Sequence, residues 1–168
     1  MKRMNRHNDP DIMTVTVEVS ISDDLISELS ESGEDVPEPE LIQTWATAAY
    51  LAESPAVASV YVTTAEEIQQ LNKQYRDKDK PTNVLSFPMQ SPANIDVCLL
   101  GDIALCPSVI EDEAKQQSKT AKSHWAHMVV HGMLHLQGYD HVEDDDAKKM
   151  EQLEVDILYQ LGFSNPYT

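Results

Sequence analysis

The sequence predicts a single α+β domain over residues 1–168, a small mixed four-stranded sheet packed with about five helices, with a metal site at the end of a long helix. Runs of alternating apolar residues interleave with segments of helical spacing, which gives the mixed class. The 168 residues suit one domain burying on the order of 70% of its unfolded surface. Neither an internal repeat nor a linker divides them.

Residues 1–12 hold Lys2, Arg3 and Arg6 without an apolar run and are expected to be disordered. From Met13 to Ile21, Val15, Val17, Val19 and Ile21 alternate with Thr14, Thr16, Glu18 and Ser20, the pattern of a half-buried strand. The acidic stretch 22–40, with Gly33, Pro37 and Pro39, reads as a loop with one short helical piece. Leu41, Trp45, Ala48, Ala49 and Ala52 then recur at helical spacing, predicting a helix from Glu40 to about Glu53. A second strand, Ala56 to Val62, leads to Thr64 and Glu67, a T-x-x-E capping box opening a helix to about Tyr75. After the loop Arg76 to Asn83, Val84 to Phe87 forms a third strand stopped by Pro88, and Val97 to Cys106 a fourth. Pro107, Ser108 and Glu111 suggest a second capping box, for a helix to about Gln117. A long helix from about Lys122 to Leu136 stops at Gly138. The last helix starts in the acids Glu143 to Asp146, suited to a positive dipole end, buries Met150, Leu153, Ile157 and Leu161, and stops at Gly162.

The charge narrows the function. Twelve Lys plus Arg against 29 Asp plus Glu give −17, which argues against a broad cationic surface for nucleic acid. If RNA or DNA is a partner, the contact must be local. Without a signal-peptide core or an apolar run long enough to span a bilayer, a cytoplasmic protein with no membrane partner is expected. Cys98 and Cys106 are expected to be reduced, buried thiols rather than ligands.

Five of the six histidines fall between His124 and His141, and three of them make H-x-x-x-H-x-x-G-x-x-H at His131, His135, Gly138 and His141. One turn apart, His131 and His135 project from the same helix face, roughly 6 Å apart along the axis. Gly138 frees the chain to turn back so that His141 can supply a third corner. Three imidazoles with a fourth position left open describe a catalytic zinc site better than a closed structural one. His124 and His127 are assigned structural roles, although His127, one turn before His131, competes for a ligand position. A zinc peptidase of the H-E-x-x-H type would carry a Glu after the first His as its base. Here that residue is Gly132, so peptide hydrolysis becomes the second hypothesis, and a non-catalytic zinc module the third.

The runs H-G-M-L-H-L-Q-G-Y-D-H at His131 to His141, L-N-K-Q-Y-R-D-K-D-K-P-T-N-V-L-S-F-P at Leu71 to Pro88, and L-L-G-D-I at Leu99 to Ile103 resemble the bacterial YbeY endoribonuclease family. The resemblance covers about residues 56 to 168. It implies that His131, His135 and His141 bind one zinc ion and that the protein is a zinc-dependent, single-strand-specific endoribonuclease. It further implies a role in ribosomal RNA maturation, at the 3′ end of the small-subunit RNA, and in ribosome quality control. The partners it implies are single-stranded RNA and the small ribosomal subunit with its associated factors. Arg76, the arginine of the Y-R motif, is implied to be needed for activity.

The residues leave room for that function. Lys73, Arg76, Lys78 and Lys80 put four of twelve cations within eight residues, although Asp77 and Asp79 interleave and such a run is often a solvated loop. Phosphodiester cleavage builds charge on the non-bridging oxygens, which a guanidinium fork and a metal can stabilise. The proton acceptor stays open among a second metal-bound species, Asp140 and a role for the RNA 2′-hydroxyl as nucleophile. Asp140 and Asp102 are read first as structural hydrogen-bonders. Eleven of the 29 acids precede Leu41, and charges beyond a Debye length of about 8 Å are screened, so distant acids need not repel a substrate at the Arg76 loop.

Overall fold

Strand β1 (Val15–Ile21) pairs in parallel with β2 (Ala56–Val62), and β2 in parallel with β4 (Cys98–Leu105), while β3 (Val84–Pro88) closes the edge antiparallel to β4. The sheet order is therefore β1-β2-β4-β3, the mixed four-stranded sheet expected. These contacts come from a computed structural model that describes residues 14–32, 35–90 and 96–168. The disorder expected for residues 1–12 concerns positions outside that range. Between Val57 and Ala58 the β2–β4 register skips Leu100, a one-residue bulge on β4. Gly101 follows it at φ +132°, and an added Cβ there would lie 2.2 Å from the Phe87 carbonyl oxygen, so β3 can approach only a glycine.

Among the described residues six helices accompany the sheet, against the five or so expected. The additional one, α1 (Asp23–Ser32), occupies much of the stretch read as an acidic loop. Ser22 accepts a hydrogen bond from the Leu25 amide at 3.2 Å and caps it, and Leu25 is buried, so a small apolar anchor suffices despite the flanking acids. Helix α2 (Pro39–Ala48) stops five residues before the expected Glu53. Gln137 explains the early end: its amide donates to the Ala49 carbonyl at 2.7 Å and its oxygen accepts from the Leu51 amide at 2.9 Å. A side chain after the long helix thus satisfies the backbone that a longer α2 would have satisfied itself.

Helix α3 (Ala65–Arg76) begins as expected, with Thr64 accepting from the Glu67 amide at 3.1 Å. Helix α4 (Pro107–Gln116) departs from the expected capping box: Cys106 is its N-cap, and Ser108 already lies inside the first turn. Pro107 has a fixed φ and no N–H to satisfy, so it starts the helix without a Ser cap. Helix α5 (Ala121–Leu136) packs on β3 and β4, with α2, α4 and α6 (Asp144–Gln160) around it. Its Trp125, Val129 and Met133 share one core with Ile42 and Trp45 of α2 and with Val60, Ile103 and Leu105 of the sheet. On the opposite face, Ile68 of α3 packs with Leu85, Ala104 and Cys106. Both cysteines are free, but Cys98 is only half-buried, because it is the first residue of β4 and lies before the stretch that β3 pairs with. Among the described residues no helix is long and apolar enough to cross a membrane.

Candidate metal centre and its cleft

Helix α5 runs from a Thr120 N-cap to a turn in which the Gly138 amide donates to the His135 carbonyl and the Tyr139 amide to the Leu134 carbonyl. Gly138 adopts φ +97°, the left-handed region, and that reversal carries His141 back toward the helix face. Asp140 accepts from the Val142 amide at 3.3 Å and so steadies the turn, the structural part first assigned to it. The three imidazoles converge: ring centroids lie 4.5 Å apart for His131 and His135, 5.5 Å for His131 and His141, and 5.2 Å for His135 and His141. One nitrogen of each lies within 4.8 Å of the others.

The donor set fits a single ion. Nε2 of His131 and Nε2 of His135 are 3.0 Å apart, near the roughly 3.3 Å that two imidazole nitrogens span on a tetrahedral zinc with bonds of about 2.05 Å. Burial, then the neighbouring charges of His131 and His141, push His135 down to about 4. At neutral pH it offers a lone pair rather than a proton, as a metal ligand must.

The other two histidines of α5 turn elsewhere. His124 is buried and meets Glu113 of α4 at 2.8 Å, and Glu113 in turn accepts from Asn83 at the start of β3. His127 meets Glu154 of α6 at 2.8 Å and is not one of the three converging histidines. Glu154 was not singled out from the sequence. It is fully buried, and its other oxygen lies 2.7 Å from Nδ1 of His131. Burial alone would raise the Glu154 pKa, but hydrogen bonds from His127 and His131 outweigh it and bring it down to about 2. The one sequence signal was its position: between Met150 and Ile157 it occupies the apolar stripe of α6.

A cleft of roughly 580 Å³ brings the second motif to the first. Arg76, Lys78, Lys80 and Ser86 line it together with His131, His135 and His141, and its described lining residues include no carboxylate. The interleaved acids of the loop face away. Asp77 caps α3 in a left-handed conformation at φ 57°, and Asp79 meets Lys73 at 3.8 Å and Gln69 at 3.0 Å. Lys73 therefore does not join the cleft. Arg76 donates from Nη2 to the Ser86 carbonyl at 2.6 Å and lies 5.9 Å from the Phe87 ring centroid. The Ser86 hydroxyl donates to the Gly132 carbonyl of α5 at 3.3 Å. One strand residue thus ties the arginine to the helix that carries two of the histidines. Gly132, where a peptidase would hold its Glu, faces the sheet, and a Cβ would lie 3.1 Å from two Ile103 carbons.

Residues 31–162 match the family model described as Endoribonuclease YbeY. The chain belongs to the YbeY family. A curated relative from Idiomarina loihiensis, named Endoribonuclease YbeY, is 50% identical over 144 residues, spanning 83% of this chain and 88% of its own length. A solved solution structure of a Thermotoga maritima protein matches 91% of this chain and 99% of that one, at 25% identity and a TM-score of 0.50. The YbeY match includes the Arg76 loop and the whole histidine cluster, and ends before the last six residues.

Proposed function

We propose that this protein is a zinc-dependent endoribonuclease that cuts single-stranded RNA, with His131, His135 and His141 as ligands of one ion and Arg76 as the catalytic residue that engages the phosphate. Its place is in ribosomal RNA maturation, at the 3′ end of the small-subunit RNA, and in ribosome quality control, in the cytoplasm and alongside the small subunit and its factors. Membership of a family named for endoribonuclease activity supports the reaction class. The observation that carries the reading is the shared cleft, in which three cations and three histidines meet on a chain of charge −17.

A bound zinc would supply Lewis-acid polarisation of the scissile phosphate. Everything else comes from the chain. Arg76 presents a planar fork to the non-bridging oxygens, and the Ser86 carbonyl and Phe87 ring hold that fork in place before substrate arrives. Lys78 and Lys80 add charge along the same wall, where adjacent phosphates of a single strand can lie. A peptidase reading is weaker, because Gly132 is packed on Ile103 and the described cleft residues offer no carboxylate as base.

Labelled single-stranded RNA, double-stranded RNA and casein, each incubated with the purified protein, separate the readings. Single-stranded RNA is expected to be cut, chelation to stop the cutting, and Arg76→Ala to slow it by about 10²–10³-fold. Cleavage that survives chelation, or that is unchanged in Arg76→Ala, overturns the mechanism. Casein cleavage without RNA cleavage would establish the peptidase instead.

A further inference from the structure

Glu154 is the only buried carboxylate among the described residues. An ionised carboxylate accepts hydrogen bonds but donates none, and without partners its burial would be costly. Three donors surround it from two parts of the chain. His131 Nδ1 and His127 Nε2 approach from α5, and the Tyr167 hydroxyl approaches from the C-terminal segment. The Tyr167 ring also stacks edge-on to His127, with centroids 5.4 Å apart, and Lys119 donates to the Pro166 carbonyl to hold that segment down. Tyr167 lies beyond the residues that match the family model.

We propose that Glu154 is a positioning residue for the metal centre: it keeps the His131 proton on Nδ1, so that Nε2 turns its lone pair toward His135 and His141, and the C-terminal Tyr167 steadies the carboxylate in that task. This role of Glu154 rests on His131 being a ligand of the ion. An imidazole has one proton to place, and the carboxylate 2.7 Å from Nδ1 decides where it sits. Nε2 is then the only nitrogen of His131 with a free lone pair, and it is the one 3.0 Å from His135. A ring held at both ends cannot rotate away, which strengthens metal binding without adding a ligand. His127, Glu154 and His131 also lie close enough to hold an ion themselves, so the proposal commits to hydrogen bonding against direct coordination.

Long-range proton–nitrogen correlation NMR on the metal-free protein reads the tautomer directly. His131 is expected as the Nδ1–H form in wild type and as a mixture in Glu154→Gln. Zinc affinity, measured by competition with a chromophoric chelator, is expected to fall by about 10–100-fold in Glu154→Gln and by less in Tyr167→Phe, at one ion per chain throughout. An Nε2–H tautomer for His131 in wild type overturns the proposal, and that spectrum does not depend on any variant folding. So does unchanged zinc affinity in a folded Glu154→Gln, or a second zinc lost in His127→Ala, which would make Glu154 a ligand. If wild type binds zinc no better than His135→Ala, the metal reading fails, and the His131 tautomer still decides the part played by Glu154.

Discussion

Burial and the charges of two neighbours hold the His135 imidazole at about 4, well below its ordinary 6.5. The unfolded chain takes up this proton near pH 6.5, whereas the folded chain refuses it until about pH 4. Stability contributed by His135 is therefore present above pH 6.5 and lost as pH falls toward 4. Glu154 acts in the same direction over a lower window, from about 4.5 down to about 2. The metal-free protein is expected to lose urea midpoint steadily below pH 6.5, and His135→Gln to flatten the upper part of that decline. An unchanged profile in the variant would refute the assignment. At this scale the sequence was legible where spacing carries geometry: three histidines and a turn glycine define a convergent three-histidine corner without a fold. Glu154 was illegible because its importance lies in burial and in a partner 23 positions away, and an acid in an acid-rich chain draws no notice.

Helix termini decide where the side chains of the cleft end up. Thr64 starts α3, and twelve residues later that helix delivers Arg76; Gly138 ends the turn after α5 and returns His141. An added Cβ at Gly138 meets nothing within 4 Å, so the cost of substitution to Ala is that of the φ +97° backbone alone. Gly138→Ala is expected to lose about 1 kcal/mol of stability in a denaturant titration and to bind zinc more weakly, because relaxing the backbone swings His141 away. A variant with wild-type zinc affinity would show that the turn does not set the ligand geometry. Strand β2 and the Thr64 cap were readable to the residue, since alternation and capping boxes are local patterns. The extent of helix α1 and the early end of α2 were not. One depends on a single buried Leu25, the other on Gln137 reaching across from another element.

The charge of the whole molecule and that of the cleft have opposite signs, and salt separates them. With Arg76, Lys78 and Lys80 as the cations of the cleft, RNA binding should neutralise about three phosphates. A plot of log affinity against log salt is then expected to have a slope near −2 for single strands, steeper than in Lys78→Ala. A much steeper slope would point to a cationic surface beyond this cleft. Weak intrinsic RNA affinity is therefore expected.

Strand β3 is the last of its sheet, and an edge strand presents unpaired backbone groups that can recruit another chain. By taking the Ser86 carbonyl, Arg76 blunts that edge with a charged side chain. The residue proposed to meet a phosphate thus also occupies a backbone acceptor on the edge strand, so its replacement would free that acceptor for another chain.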